Sequence, residues 1–253
     1  MRYENLISRN KGYISKKLQK KIKNCRIFLL GCGLGSQIAL LAARTGFKNF
    51  ILVDGDNVDI DNLNRQGFRY KHLGKNKAEA LHSMIKDINP RARVEFHPMI
   101  LKDEKLAKRL IDESDVVVNM ADPEKIMYFV NSFSQEKGKP VFFPLNIAWG
   151  GYVLIFTSDS PKIEEIVGTN QLRGNKFYIK LIQKTFSTFP PTLLAFYKKK
   201  GKELLNQSYA PQIGAACYLT SAIVVQGIIK WLAKKPFKKA PFPIFLDLWE
   251  EIG

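Results

Sequence analysis

The sequence is poor in cysteine and histidine, the residues that build disulfide frameworks and zinc sites. Its three cysteines are Cys25, Cys32 and Cys217, and no two of them form a CxxC pair. A sparse, odd set of cysteines argues against a disulfide framework. Without CxxC pairs the chain cannot build a four-cysteine zinc site. We therefore expect no structural zinc.

The sequence also lacks an obvious targeting segment. Residues 1–19 are polar and contain no apolar core of the kind found in signal peptides. The longest apolar stretch, residues 213–233, is interrupted by polar residues such as Gln226 and Lys230. A membrane span needs about 20 mostly apolar residues. We interpret this stretch as a buried helix of a cytoplasmic protein with no membrane segment. A membrane-spanning helix is the alternative.

Acidic residues are in the minority. The chain has 40 lysine and arginine residues against 23 aspartate and glutamate residues, which gives a net charge of +17. Such a field attracts phosphates, nucleic acid or acidic protein surfaces. A generally lysine-rich composition is the alternative, because many of the lysines stand singly on predicted helix faces. Both interpretations stay open.

Short apolar runs alternate with helical patterns along most of the 253 residues. The predicted strands are residues 26–30, 49–54, 94–97, 115–119, 141–143, 151–156 and 241–248. The predicted helices are residues 37–46, 74–88, 102–112, 124–137 and 214–232. This alternation predicts an α/β fold, Rossmann-like, with a mostly parallel sheet and helices on both faces. The length suits one domain over residues 1–253.

Three segments fall outside the alternation. Residues 1–24 predict an N-terminal helical lead-in, with Ser15 as the N-cap of the basic run that follows. Residues 157–212 are aromatic and lysine-rich and predict an irregular, variable insertion that faces the substrate. Residues 213–253 predict a helix and a strand that return to the core.

A glycine-rich turn links the first predicted strand to the first core helix. Gly31, Gly33 and Gly35 allow a tight turn and a close approach of the backbone to phosphates, which the free N–H groups of the helix N-terminus then bind. Ser36 stands where a GxGxxG pattern would have its last glycine. Asp54, at the end of the second strand, can accept hydrogen bonds from ribose hydroxyls. An NAD enzyme fits these features equally well, and a turn used only for packing is the structural alternative.

The next stretch is more specific. Residues 53–66, VDGDNVDIDNLNRQ, contain D-x-D and then N-L-x-R-Q, and residues 72–81 contain G-x-x-K at the start of a helix. The three elements, in this order, resemble the ThiF/MoeB/HesA branch of the ubiquitin-activating-enzyme-like superfamily. Residues 8–10 resemble the family's N-terminal arginine segment, and Ala121-Asp122 resembles its aspartate near the metal. The resemblance covers residues 5–157 well and the last 45 residues weakly.

This resemblance implies an adenylyltransferase that uses ATP and Mg²⁺, with Arg65, Lys77, Asp122 and Arg9 as catalytic residues. The glycine turn and a set of side chains would hold the nucleotide: Asp54, Asp56, Asn62, Arg65, Gln66 and Lys77. Asp122 would lie beside Mg²⁺. Arg9 would reach the phosphates, and in homodimeric members it does so from the neighbouring subunit, so a homodimer is implied.

The chemistry supports these roles independently. A carboxylate with a pKa of about 4 is already ionised at neutral pH, so attack on the α-phosphorus of ATP needs no general base. The enzyme has to position the reactants and neutralise charge on the phosphates. Each residue also has a structural alternative. Arg65 could pair with a surface aspartate, Lys77 could be solvated, and Asp122 could cap a helix with Pro123 at its first position.

The sequence departs from the family pattern in three places. It has no zinc-binding CxxC pair, Pro123 stands where the family has asparagine, and no cysteine falls in an obvious crossover loop. We therefore expect no thioester on this chain and transfer of the adenylate to an external nucleophile.

Four functions follow as hypotheses. The first is adenylation of the C-terminal carboxylate of a ubiquitin-like protein or peptide. The second is the same chemistry on a modified tRNA base. The positive charge would suit RNA. Six aromatic residues among the lysines of residues 176–202 would also suit RNA, by stacking on bases: Phe177, Tyr178, Phe186, Phe189, Phe196 and Tyr197. The alternative is that these aromatic residues form a hydrophobic core. The third is a nucleotide-binding scaffold without turnover, and the fourth is an NAD-dependent oxidoreductase.

Overall fold

The structure, a computed structural model, describes residues 3–206 and 211–249. The side chains of Phe196 and Tyr197 lie outside the described part. The helices are α1 Tyr3–Leu6, α2 Lys16–Asn24, α3 Gly33–Thr45, α4 Lys77–Ile88, α5 Glu104–Asp112, α6 Lys125–Glu136, α7 Ile163–Val167, α8 Gly174–Thr185, α9 Pro191–Asn206 and α10 Gly214–Leu232. The strands are β1 Arg26–Leu30, β2 Asn49–Val53, β3 Arg93–His97, β4 Val116–Asn119, β5 Val141–Ile147, β6 Gly150–Phe156 and β7 Ile244–Leu246.

The strands form one seven-stranded sheet in the order β3-β2-β1-β4-β5-β6-β7. The pairs among β1 to β5 are parallel, and β6 and β7 add antiparallel strands at one side. The chain moves outward from β1 to β3 and then returns to the other side of β1 with β4. The reversal leaves a crevice at the carboxyl ends of β1 and β4, where ligands of such sheets bind. The predicted Rossmann-like, mostly parallel fold is confirmed.

Helices cover both faces of the sheet. Successive residues of a strand point to opposite faces, so Leu29 joins the core beneath α3, α4 and α10, whereas Phe28 joins the core beneath α5, α6 and α8. Both side chains are fully buried. This two-sided burial explains why β1 and β4 are continuous apolar runs in the sequence.

Two predicted helix ends are confirmed by their capping geometry. The Ser15 side chain accepts a hydrogen bond from the backbone N–H of Leu18 and starts α2. Gly46 adopts the left-handed conformation, with φ +106°, and ends α3. Helix α3 nevertheless begins at Gly33, earlier than the predicted residue 37, because the glycine turn itself forms the first helical turn.

The prediction of an irregular segment over residues 157–212 is wrong, because α7, α8 and α9 lie within it. On α8, Phe177, Leu181 and Ile182 share a buried face at helical spacing, which the intervening lysines obscure in the sequence. Phe177 is fully buried, and Tyr178 packs against the same core. Phe186 and Phe189 also pack there. These four aromatics are therefore core residues and do not form a stacking platform for RNA.

Strand β5 is longer than predicted, and β7 is shorter than its predicted range, residues 241–248. The predicted strand ends at residue 143, just before Pro144. The last pair between β4 and β5 is Val118–Phe142, so the missing N–H of Pro144 removes no bond to β4. Beyond that point β5 continues as a hairpin with β6 as far as Ile147.

Helix α10 is a core element of the domain. Its length and composition alone would allow it to cross a membrane. It packs against α3, β5 and β6. A Cβ on Gly227 would lie 2.7 Å from the Phe142 ring, and a Cβ on Gly151 would lie 2.8 Å from the backbone nitrogen of Thr220. The close approach of helix and sheet requires both glycines.

Candidate nucleotide site

A cavity of about 940 Å³ lies at the carboxyl ends of β1, β2 and β4. Eight of the predicted site residues line it: Gly31, Gly33, Asp54, Asp56, Arg65, Gln66, Lys77 and Asp122. Gly35, Asn62 and Arg9 do not. Residues that are up to 91 positions apart in the sequence therefore meet at the crevice of the sheet.

The glycine turn is shaped by contacts with the end of β4. Gly31 has φ +96°, and a Cβ there would lie 2.9 Å from the Met120 carbonyl oxygen. Gly35 is buried, with the Met120 side chain 2.9 Å from its Cβ position, so its role is packing. Ser36, the departure from GxGxxG, donates to the Gly33 carbonyl oxygen at 2.6 Å and accepts from the Gly67 N–H at 2.7 Å. Its hydroxyl thus fastens the turn to the loop that carries Arg65.

Asp54 is held by the backbone around it. Its Oδ2 accepts from the Cys32 N–H at 2.6 Å, and its Oδ1 accepts from the Asp56 N–H at 2.8 Å. Burial raises the pKa of Asp54, and these two hydrogen bonds oppose the rise. Each carboxylate oxygen keeps a lone pair that can accept a ribose hydroxyl.

Lys77 is the first residue of α4, and its ammonium group is drawn into the cavity wall. Nζ lies 3.0 Å from Asp56 Oδ2, with the lysine side chain 10% exposed and the aspartate side chain 67% exposed. The Asn76 side chain caps α4 by accepting from the N–H groups of Ala78 and Glu79. A solvated surface lysine, the structural alternative for Lys77, is therefore excluded.

Asp122 lies just after β4 and lines the same cavity as Asp56. Burial raises the pKa of its carboxyl, and repulsion from Asp56 and Glu124 raises it further. Helix α6 begins at Lys125 with Glu124 at the N-cap position, so Asp122 does not cap it. Two carboxylates in one cavity suit Mg²⁺, which binds proteins through one or two carboxylates and completes its coordination with phosphates and water. Within residues 3–206 and 211–249 no group of three or more acidic, histidine or cysteine ligands occurs.

Arg65 is held by neutral groups. Its Nε donates to Gln212 Oε1 at 2.7 Å, and its Nη1 donates to the Asp61 carbonyl oxygen at 2.6 Å and to Asn64 Oδ1 at 2.8 Å. Across the described ranges no carboxylate lies within salt-bridge distance of it. The guanidinium charge therefore faces the cavity without an anionic partner, which contradicts the surface ion pair given as the structural alternative for Arg65.

Gln66 carries an unsatisfied polar atom. Its Oε1 is buried and has no hydrogen-bond partner. Its Nε2 lies 3.1 Å from the Cβ position of Gly33, directly over the phosphate-binding turn. A buried polar atom without a partner is costly, so Gln66 is a candidate ligand contact beside the turn.

Asn62 and Arg9 lie outside the cavity. Asn62 is buried, and its Oδ1 accepts from the Asp59 N–H at 3.1 Å, so its amide stabilises the loop before Arg65. Arg9 is exposed in a segment whose Asn10 donates to the Thr45 carbonyl oxygen at 2.9 Å. Thr45 ends α3, so one helix length, roughly 20 Å, separates Arg9 from the glycine turn of the same chain.

Sequence reasoning missed Asn146 and Gln212. Asn146 lines the cavity near the carboxyl end of β5, donates to Cys217 Sγ at 2.8 Å and accepts from the Thr220 hydroxyl at 2.8 Å. Gln212 lines the cavity and holds Arg65. Neither belongs to a motif. The available signal for Asn146 was a polar residue close to the end of an apolar strand.

Comparison with known proteins identifies the family. The model of the ThiF family matches residues 7–252. The chain belongs to the ThiF family. This membership confirms the resemblance inferred from D-x-D, N-L-x-R-Q and G-x-x-K, and it extends over nearly the whole chain.

The relatives of this ThiF-family chain include two named adenylyltransferases. It is 32% identical over 145 residues to the probable adenylyltransferase/sulfurtransferase MoeZ of Mycobacterium tuberculosis, covering 56% of this chain and 37% of MoeZ. It is 29% identical over 140 residues to the sulfur carrier protein adenylyltransferase of Thermus thermophilus, covering 54% and 51% of the two chains. The match thus spans about a third to half of these relatives.

Solved structures support the fold. The crystal structure of E. coli MccB with ATP has a TM-score of 0.66 at 21% identity, covering 92% of this chain and 65% of MccB. MccB has also been solved in complex with N-formylated MccA, with a TM-score of 0.66 at 22% identity, covering 93% of this chain and 67% of MccB. At this identity the likeness concerns the fold alone.

Proposed function

We propose that this chain is an ATP- and Mg²⁺-dependent adenylyltransferase that activates the C-terminal carboxylate of a ubiquitin-like protein or peptide. The observation that carries the proposal is the meeting of Arg65, Lys77, Asp56 and Asp122 around the glycine turn in one cavity. Hydride transfer would need none of these charged groups beyond the turn itself.

The proposed reaction balances without proton transfer. A carboxylate oxygen of the substrate attacks the α-phosphorus of ATP and forms the acyl–phosphate bond. The bond from the α-phosphorus to the oxygen bridging to the β-phosphorus breaks, and its electron pair leaves with pyrophosphate. Catalysis therefore consists of alignment and of neutralising the charge that develops on the leaving group.

Each group of the site has a role in this scheme. The N-terminus of α3 and the turn at Gly31 receive the phosphates, and Asp54 receives the ribose. Lys77 and Arg65 neutralise the phosphate charge. Asp122, with Asp56, would hold Mg²⁺, which supplies further neutralisation of the phosphates when it is bound.

The rim of the cavity favours a protein or peptide substrate. Ile147 and Ala148 line the cavity, and the next residue, Trp149, is half-exposed and stacks on exposed Trp249 with ring centroids 4.7 Å apart. Leu248 is exposed nearby in the sequence. Exposed apolar patches of this kind mark interaction sites. The Thermus thermophilus relative is named for a sulfur carrier protein, and MccB has been solved in complex with N-formylated MccA. Both names agree with this proposal.

The remaining hypotheses have less support. Phe177 is buried, and Tyr178, Phe186 and Phe189 pack against the same core, which weakens the stacking argument for a modified tRNA base as the substrate. A scaffold without turnover and an NAD oxidoreductase stay as outcomes of the test below. We also propose a cytoplasmic homodimer in which Arg9 reaches the cavity of the neighbouring subunit.

ATP–pyrophosphate exchange with Mg²⁺ tests the function. Diglycine-ending carrier proteins or peptides and bulk tRNA are supplied separately, with Arg65→Ala and Lys77→Ala as inactive controls. We expect exchange that depends on a carrier or peptide and disappears in both variants. Exchange that depends on tRNA would contradict a protein or peptide substrate and would support a modified tRNA base as the substrate. ATP binding without exchange for any substrate supports the scaffold, and NADH binding without ATP binding contradicts the proposal.

A further inference from the structure

The amino end of the sheet, opposite the cavity, carries a concentration of positive charge. Six basic residues form what we call the amino-end basic surface: Lys21, Lys23, Lys48, Lys86, Arg91 and Arg93. All six are exposed or half-exposed. None belongs to the nucleotide site, and strands of five residues place them about 15 Å from it.

Hydrogen bonds bring the surface together from four elements. The Arg93 N–H donates to the Lys48 carbonyl oxygen at 2.7 Å, where β2 and β3 begin. The Asn49 side chain donates to the Lys23 carbonyl oxygen at 3.0 Å. Lys86 Nζ donates to the Ala92 carbonyl oxygen at 2.6 Å. The register of β2 and β3 and the end of α4 therefore fix the positions of these cations.

The end of α10 extends the surface. Lys21 Nζ donates to the Leu232 carbonyl oxygen at 2.8 Å and joins α2 to the C-terminus of α10. Lys230, Lys234 and Lys235 lie at this end of α10 and are exposed.

Few acidic residues accompany the positive charge: Asp87 is next to Lys86 in the sequence, and Asp115 accepts from the Arg26 N–H at the start of β1. Residues 11–24, 43–53, 88–94 and 213–246 contain no aspartate or glutamate. In the part of the chain that the structure describes, none of the six cations forms a salt bridge. Glu95, the acid on β3, is already bonded to Arg26 and Arg109. Like-charge neighbours at this density are unfavourable unless an anion binds them.

The electrostatics of Lys48 agree with this crowding. Burial lowers the pKa of Lys48, and the charges of Arg93, Lys23, Arg91 and Lys86 lower it further.

We propose that the amino-end basic surface binds the phosphodiester backbone of a nucleic acid. The surface lies about 15 Å from the cavity, at the opposite end of the sheet, so it is separate from the site that the proposed function assigns to the carrier C-terminus. A membrane-binding surface would present large apolar side chains for insertion. Trp231, between Lys230 and Lys234, is half-exposed and packs against the core. Met99, Ile100 and Trp149, which are among the exposed large apolar side chains of the described residues, lie at the cavity end. A regular array of phosphates fits a rigid set of cations without apolar anchors.

Fluorescence anisotropy with a labelled 30-nucleotide single-stranded RNA and a 30-base-pair DNA duplex, over a series of NaCl concentrations, tests the proposal. The variant Lys48→Glu/Arg91→Glu/Arg93→Glu is compared with Lys176→Glu/Lys180→Glu/Lys184→Glu on α8, which makes the same change of charge elsewhere. We expect wild-type affinity to fall steeply with salt, and the first variant to lose at least tenfold in affinity. The slope of log K against log salt should fall by about 2 for RNA, or about 0.7 per lost contact. The α8 variant should stay near the wild type.

The glutamine variant Lys48→Gln/Arg91→Gln/Arg93→Gln guards against misfolding, and retained ATP binding reports an intact fold in each protein. Equal loss in both charge-reversal variants would assign the effect to net charge and overturn the proposal. Absence of binding to RNA and DNA at 50 mM NaCl, or binding only to vesicles that contain phosphatidylserine, would overturn it too. A preference for RNA or for DNA would identify the nucleic acid, and either preference would support the amino-end basic surface as the binding surface.

Discussion

Lys77 Nζ and Asp56 Oδ2 lie 3.0 Å apart at the wall of the cavity, and the lysine side chain is almost completely buried. The lysine therefore has its ammonium group in place before a nucleotide binds. Because the Asp56 side chain is largely exposed, water screens its attraction for the ammonium group. The ion pair therefore positions the ammonium group but leaves most of its positive charge available. A phosphate oxygen that enters the cavity meets a preorganised cation.

The first prediction concerns this pair. Lys77→Ala removes the preorganised cation, so we expect ATP–pyrophosphate exchange to fall by about 10²–10³, the usual loss when one transition-state donor is removed. Lys75→Ala, which removes an exposed lysine two residues earlier, should retain near wild-type exchange. Equal loss in both variants would show that net charge at the start of α4, rather than the contact with Asp56, matters.

Asp122 sets a pH-dependent stability. The pKa of Asp122 is raised in the folded protein, chiefly by burial and then by Asp56. The folded state thus holds the proton more tightly than the unfolded chain, and the free energy of unfolding falls as pH rises from the ordinary value near 4 through the raised value. Asp122→Asn removes this loss. We expect a higher Tm at pH 7 without ligand, and a difference that disappears below about pH 4.

Asp159→Asn is the control with the opposite sign. Hydrogen bonds from Lys239 and Thr157 lower the pKa of exposed Asp159 to about 2, so this substitution should leave the Tm at pH 7 unchanged or slightly lower.

ATP with Mg²⁺ should raise the Tm of the wild type but not that of Asp122→Asn, and EDTA should abolish the rise. A lower Tm for Asp122→Asn at pH 7 would contradict the proposed electrostatic cost.

Substitutions of Gly31 and Gly138 distinguish the cost of a strained backbone from the cost of a steric clash at the site. Both have positive φ, but only at Gly31 would a Cβ meet another atom, the Met120 carbonyl oxygen at 2.9 Å. Gly138→Ala should cost about 1–2 kcal/mol for the left-handed conformation, which is about 2–8 °C in Tm for a chain of this size. Gly31→Ala should lower Tm further and weaken ATP binding in calorimetry. Similar losses and intact ATP binding would show that the turn adapts.

The sequence predicted the strands and the glycine turn because continuous apolar runs and glycines act locally. Of the eight cavity residues that were predicted, Gly31, Gly33 and Asp54 follow from the strand ends and the glycine turn, whereas the other five were assigned from the family resemblance. The sequence did not predict the helices of residues 157–206, where lysines alternate along the chain with the residues of the buried face that carries Phe177. Asn146 and Gln212 were missed because their positions depend on β5 pairing with β6 and on the approach to α10, which no local pattern encodes.

Arg9 tests the assembly. It lies at the far end of α3 from the glycine turn, so we propose that it acts in the cavity of a second subunit. We expect Arg9→Ala and Lys77→Ala each to lack exchange. After mixing and subunit reassortment, heterodimers have one site with both residues intact, which restores about a quarter of wild-type activity at equal proportions. Failure to restore activity, although mixed dimers are detected, would place Arg9 outside the reaction.

Cys217 lies close enough to the cavity to raise the question of a covalent intermediate. Its thiol is buried, it accepts from Asn146 Nδ2 at 2.8 Å, and burial raises its pKa to about 11 although Arg65 and Asn146 oppose the rise. Because the thiolate is the nucleophile, Cys217 should be unreactive at pH 7–8 and should alkylate faster as the pH approaches 11. Cys217→Ser should therefore retain pyrophosphate exchange. Mass spectrometry of wild-type enzyme incubated with ATP and carrier should find no dithiothreitol-labile adduct, whereas an adduct that Cys217→Ser abolishes would mean that this chain transfers the acyl group through its own thiol.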